Sequence, residues 1–258
     1  MRNAITSTAF EPVPILMYHA VEDAPLSPVH KHLYVTAKEF AKQMKSLKSM
    51  GFTPIDFADL ESTRMGYSSL PKKPIILTFD DGYANLEKNA NPVLVEHNMK
   101  YTVFLVSGKI GGTNDWVESE GMTPTPLLTW NAIERIHADG VASFMPHTVT
   151  HLKLTQIPVE QARMELGNSK ATLEDRLQRT MPTFCYPYGD CNDRIADLAR
   201  DAGYTQAVTT QFGRVRLADE SMLLPRVSVY HVPPVSITYG IGIMNFQWRV
   251  RSRRDTRP

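Results

Sequence analysis

Pro74-Ile75-Ile76-Leu77-Thr78-Phe79-Asp80-Asp81-Gly82 is an apolar run that ends in two carboxylates and a glycine. A short continuous apolar run of this length fits a strand buried on both faces, as parallel sheets contain. Neighbouring side chains in an extended segment point to opposite faces, so Asp80 and Asp81 cannot both face one way. At the end of a buried strand, one can turn to a metal while the other faces the substrate side. Gly82 then permits a sharp exit that a residue with a Cβ would resist.

Working outward, strand-like runs occur at Val13–Tyr18, Ile75–Phe79, Tyr101–Val106, Val141–Met145, Phe184–Tyr186, Ala207–Thr209 and Leu223–Tyr230. Helical patterns lie between them. Thr36-Ala37-Lys38-Glu39 is a capping box, followed by Phe40, Met44 and Leu47 at helical spacing and stopped by Gly51. Others run from Thr129 to Gly140, from Asn192 to Gly203, and from Pro158 to Leu177, the last weakened by Gly167. This alternation predicts an α/β fold with a parallel sheet and crossover helices, closed into a barrel.

The second informative fragment is His147-Thr148-Val149-Thr150-His151. On a helix or helical turn, histidines four apart share a face and can share one ion. Two His and one Asp make three protein ligands, the count of a catalytic zinc site with one open position. The other Asp is left for proton transfer. That combination points to a hydrolase. His and Asp ligands also suit cobalt, nickel or iron.

The Thr78-Phe79-Asp80-Asp81-Gly82 and His-Thr-x-x-His motifs resemble those of the polysaccharide deacetylases of the NodB-homology type (carbohydrate esterase family 4). A third motif, Phe184-Cys185-Tyr186-Pro187-Tyr188-Gly189, is similar to the family's aromatic-Pro-x-Gly segment. The resemblance implies that Asp80 is the catalytic base and that Asp81, His147 and His151 hold a divalent metal, zinc first among candidates. It also implies that the Tyr188 backbone N–H faces the oxyanion, and that the fold is an irregular (β/α) barrel of about seven strands. It runs from about Pro12 to Val229. A single deacetylase domain is expected over 12–234, with an apolar segment and Arg-rich tail at 235–258.

Two family features are displaced. Many relatives carry an Arg just ahead of the third motif that pairs with the base; here none sits there, and Arg226 is the candidate replacement, also considered for substrate binding. The usual C-terminal Leu-x-His is missing. Ile15-Leu16-Met17-Tyr18-His19 instead resembles the first strand of the circularly permuted branch, which includes poly-N-acetylglucosamine deacetylases, and so implies His19 as general acid. Tyr186, Pro187 and Trp130 are further candidates for substrate contact. Tyr83, Trp116 and Tyr188 are candidates to stack on sugar. The implied activity is removal of N-acetyl groups from amino sugars of a glycan containing N-acetylhexosamine. Hydrolysis of a cyclic amide, or glycan binding without catalysis, are the alternatives.

Composition sets wider bounds. The chain has 258 residues, 42% hydrophobic and 21% charged, which favours one α/β domain with a sizeable core. A net charge of +1 gives no reason to expect nucleic acid. Residues 249–258 carry five Arg and one Asp, so the remainder is about −3. With Val235–Trp248 ahead of it, this tail is a candidate for weak membrane-surface contact, set against plain packing on the barrel. Two Cys, Cys185 and Cys191, make no disulfide framework. The first residues show no apolar signal core. A cytoplasmic location is therefore expected, with export the alternative if a signal is missing from this sequence.

Overall fold

The computed structural model describes residues 11–23, 33–121 and 123–229. Seven strands form the barrel wall: β1 (Ile15–Tyr18), β5 (Pro74–Phe79), β6 (Tyr101–Leu105), β7 (Ala142–Pro146), β8 (Thr183–Cys185), β9 (Gln206–Phe212) and β10 (Leu224–Ser228). Their spatial order is β7-β6-β5-β1-β10-β9-β8, and every neighbouring pair is parallel. All seven predicted runs supply a strand, with Tyr230 outside the described residues. The first and last strands lie side by side, Leu16 opposite Val227. A short strand β4 (Thr53–Pro54) pairs with the start of β5, and β2 (Ala20–Val21) pairs with β3 (Tyr34–Val35) at the rim.

β5 lies between β1 and β6, and all six of its residues are buried. A strand covered on both faces tolerates no polar alternation, which is why its sequence reads as a continuous apolar run. The barrel stops short of closure between β7 and β8, which do not pair. There, His147, the first residue after β7, sets its Nδ1 2.7 Å from the Cys185 carbonyl oxygen at the end of β8. A side chain thus spans the seam that backbone hydrogen bonds leave open.

The helices begin where their caps predict. α1 (Ala37–Ser49) opens with the reciprocal capping box: Glu39 N donates to Thr36 Oγ1, and Thr36 N donates to the Glu39 carboxylate, each at 3.2 Å. Phe40 of α1 meets Tyr18 and Phe79 edge-on, with centroids 5.4 and 5.8 Å apart, while Tyr18 and Phe79 stack at 5.3 Å. Thr129 caps α5 (Trp130–Ala138) and Asn192 caps α7 (Asp193–Asp201). α6 (Val159–Leu177) runs unbroken through Gly167. The glycine costs about 1 kcal/mol against alanine, and burial of Ala162, Leu166, Ser169 and Leu173 outweighs it.

The sequence reading passed over α2 (Phe57–Arg64), α3 (Asn85–Asn89) and α4 (Asn91–Glu96). The last two are too short for an amphipathic period to show. α2 did carry a signal: Asp56 and Asp59 form a second capping box, ahead of buried Phe57 and Leu60. Among the described residues no helix is long and apolar enough to cross a membrane. Residues 235–258, on which the membrane-surface reading rests, lie outside them.

Removing the Phe40 ring should cost about 3–5 kcal/mol, because it fills the junction between β1, β5 and α1. Chemical denaturation of Phe40→Ala should show a lower midpoint at an unchanged slope.

Candidate metal and catalytic site

The C-terminal ends of the parallel strands meet on one face, where barrel enzymes gather their chemistry. β1 delivers His19, β5 delivers Asp80 and Asp81, β7 delivers His147 and the turn to His151, and β8 leads into Tyr186–Gly189. The two carboxylates part because Asp81 adopts a left-handed backbone (φ 71°), followed by Gly82 (φ 76°). Position 82 calls for glycine, because its left-handed backbone strains any side chain and a Cβ there would have to displace Leu105 Cδ2, 2.6 Å away.

Asp80 is buried and held end-on by Arg226. Arg226 Nη1 donates to Oδ1 at 2.7 Å and Nη2 to Oδ2 at 2.6 Å. The guanidinium also donates through Nε to the Thr209 carbonyl at 2.9 Å and through Nη1 to Thr78 Oγ1 at 3.1 Å. Burial works to raise the Asp80 carboxyl, but the charge and hydrogen bonds of Arg226, with His19 and His147, carry it below its ordinary value. Arg226 is 1% exposed, so of its two expected placements the structure gives the partner of Asp80, with no donor left over for substrate. His19 Nε2 faces Asp80 Oδ2 across 4.0 Å.

Asp81 turns the other way. Its Oδ1 lies 3.4 Å from His147 Nε2 and 3.3 Å from His151 Nε2. It is buried yet accepts no well-aligned hydrogen bond, an orphaned oxygen of the kind a cation satisfies. Donors at 2.0–2.1 Å from a tetrahedral ion sit roughly 3.3 Å apart, so the spacing fits one ion. With its Nδ1 against the Cys185 carbonyl, the His147 ring turns its Nε2 toward Asp81. Burial lowers the His151 imidazole, which favours its neutral, ligating form. The residues therefore fit a divalent ion.

A second group, Asp80, His147 and Cys185, also brings its donor atoms within 4.8 Å. Arg226 decides against it. The guanidinium takes both oxygens of Asp80 and donates to Cys185 Sγ at 3.2 Å, so a cation there would meet a fixed positive charge. Burial also pushes the Cys185 thiol up, against the thiolate.

Several expected placements are corrected. His147–His151 is not helical; Thr148 and His151 both have φ of 65°, and the imidazoles converge through a tight turn. Tyr186 is fully buried, its ring edge-on to Phe184 at 5.1 Å, and Pro187 is also buried, so neither presents a surface to a ligand. Trp130 packs on the main core with the Arg176 guanidinium 5.2 Å over its ring. Tyr83 is 2% exposed, its hydroxyl accepting from Asn114 Nδ2, which removes it from the sugar-stacking candidates.

The aromatic residues that do flank the site are Trp116 and Tyr188. Trp116 stacks on His151 with centroids 4.3 Å apart, and Tyr188 lies 4.7 Å from the same ring. Tyr188 is 41% exposed and sits in a left-handed conformation (φ 59°) ahead of Gly189 (φ 70°). A Cβ on Gly189 would meet Thr210 N at 2.7 Å, so glycine is required there too. Sequence reasoning did not foresee the contact of Cys185 with Asp80 and Arg226, nor the role of Glu165 in the 147–151 turn. The second had a signal: Glu165 falls on the buried stripe of α6 with Ala162, Leu166 and Ser169, where a carboxylate calls for partners.

Comparison with known proteins points to one family. YxkH of Bacillus subtilis, named as a polysaccharide deacetylase, is 28% identical over 217 residues, 84% of this chain and 71% of that protein. The poly-β-1,6-N-acetyl-D-glucosamine N-deacetylase of Escherichia coli is 24% identical over 252 residues; the match covers 84% of this chain and 36% of that longer protein. The structure of the Streptococcus pyogenes deacetylase PplD in complex with acetate superposes with a TM-score of 0.77 at 26% identity, covering 91% of this chain and 98% of that one. The family profile for polysaccharide deacetylases matches residues 67–207, more than half of the sequence, and this chain belongs to that family.

Proposed function

We propose that this protein hydrolyses N-acetyl groups on the amino sugars of a glycan, using a divalent ion held by Asp81, His147 and His151. One observation carries the reading: two adjacent buried carboxylates are split, one locked to Arg226 and the other facing two imidazoles at 3.3–3.4 Å. That division separates proton transfer from metal binding within one site. A divalent ion, zinc first among candidates, would supply Lewis acidity toward the acetamide oxygen and bring the pKa of water near ~7.

The chain's own groups do the rest. Asp80, kept ionised and fixed in direction by Arg226, takes the proton of the attacking water. The Tyr188 N–H faces the oxygen that gains charge, a donor worth about 3 kcal/mol in comparable sites. His19, on the Asp80 side, gives its proton to the departing nitrogen, leaving acetate and a free amine. The relative named for poly-β-1,6-N-acetyl-D-glucosamine makes oligomers of that polymer the first substrate to try.

Acetate release from such oligomers by zinc-loaded protein tests the reading. Asp80→Asn and His19→Ala should each lose about 10²–10⁴-fold in turnover while keeping their zinc; His151→Ala should lose the zinc as well. Near-wild-type turnover in His19→Ala would remove it as the acid. Zinc-bound wild type that releases no acetate would favour a cyclic amide as substrate.

Arg226→Met should destabilise the fold by about 3–5 kcal/mol at neutral pH, because it strands a buried carboxylate. The sign of the pH dependence follows from the lowered Asp80 value. The pair contributes fully above the unfolded carboxylate value of about 3.9 and is lost as pH falls through the lower folded value. The stability gap between wild type and Arg226→Met should therefore widen from pH 3 to about pH 5 and then stay level to about pH 7 in denaturant titrations.

A further inference from the structure

The turn between the two histidines is held by hydrogen bonds to most of its backbone groups. His147 N donates to the Leu105 carbonyl at 2.9 Å, and the Thr148 and Val149 carbonyls accept from Ser107 N (3.0 Å) and Gly108 N (2.9 Å). His151 N donates to Thr148 Oγ1 at 2.9 Å. The N–H groups of Val149 and Thr150 go to a single side chain. Glu165 Oε2 accepts from Val149 N at 2.7 Å and Thr150 N at 2.9 Å, and Oε1 accepts from Thr150 Oγ1 at 2.6 Å.

Glu165 lies on α6, only 6% exposed, and among the described residues no cation pairs with it. A carboxylate buried without a counter-ion is costly, and all three of its hydrogen bonds fall on the residues between His147 and His151. The turn itself is unfavourable, with Thr148 and His151 both left-handed. His151 Nδ1 is buried without a hydrogen-bond partner, so its ring lacks the anchor that the Cys185 carbonyl gives His147. Its placement rests on the turn, on stacking with Trp116 and on the tilted Tyr188 ring beside it.

We propose that Glu165 is a positioning residue for the metal centre, clamping the 148–150 turn so that His151 meets His147 and Asp81 at one ion. The inference rests on the reading of those three residues as metal ligands. Without the clamp, the two N–H groups must be hydrated or left unpaired, and the turn relaxes toward ordinary backbone angles that aim His151 elsewhere.

The test uses the full chain with Glu165→Leu, Glu165→Asp and Glu165→Gln, titrated with zinc against a chromophoric chelator, alongside unfolding of each metal-free protein. Glu165→Leu should weaken zinc by about 10–100-fold, the range for residues that orient ligands. Glu165→Asp keeps the charge but is one methylene short and should also bind more weakly. Glu165→Gln should stay within a few-fold of wild type, since its amide oxygen accepts both N–H groups and its NH₂ donates to Thr150 Oγ1. Should the Leu variant not fold, the contrast between Asp and Gln carries the test. Zinc affinity equal to wild type in both Asp and Leu variants, with only metal-free stability lowered, would overturn the inference and leave the metal site standing. A wild type that binds no zinc would overturn both.

Discussion

Two carboxylates placed side by side at the end of a buried strand face a severe electrostatic constraint. Neither can stay ionised in a low-dielectric interior without compensation, and like charges in contact disfavour each other. The fold meets this by sending them in opposite directions through the left-handed backbone of Asp81 and Gly82. Asp80 receives a guanidinium from β10 on one side of β5's neighbourhood; Asp81 receives two imidazoles from β7 and its turn on the other. Strand order follows the same division, since β5 stands with β1 and then β10 on one flank and β6 and then β7 on the other.

The seam between β7 and β8 belongs to the same arrangement. A fully paired barrel would spend the Cys185 carbonyl on a neighbouring strand. Here it is available to His147 Nδ1 and fixes which nitrogen faces Asp81. The thiol of the same residue packs against Asp80 and Arg226. One small residue thus touches both halves of the site: its backbone orients a proposed metal ligand, and its side chain fills the space beside the proposed base. A larger side chain would press on the guanidinium pair.

The two histidines are held by different means. His147 is anchored by a hydrogen bond at the strand end, where backbone geometry is rigid. His151 depends on a strained turn and on flanking rings. The strain is balanced locally by hydrogen bonds to the turn, supplied by the segment after β6 and by α6. The packing of α6 and the geometry of the site are therefore linked through Glu165.

The sequence by itself determined the barrel and marked the side chains that gather at the ends of its strands. Periodicity is a local property: a doubly buried strand must read as an apolar run, and caps such as Thr36 and Glu39 act within four residues. Those signals located all seven wall strands, and the motifs marked Asp80, Asp81, His147, His151 and His19. Only the tertiary structure decided which groups those residues face. Arg226 lies 146 positions from Asp80, and no local pattern ties them; the side-by-side placement of β1 and β10 next to β5 does. Of the aromatic candidates, Trp116 and Tyr188 do flank the site, while Tyr83, Tyr186 and Trp130 do not, for the same reason. Tyr186 belongs to the third motif and Trp130 opens α5, yet both pack against the core, whereas Trp116 arrives from a short 3-10 turn with no periodic signal and covers His151. Chemical type and spacing are written along the chain, but direction and burial are set by what the rest of the fold packs against each side chain.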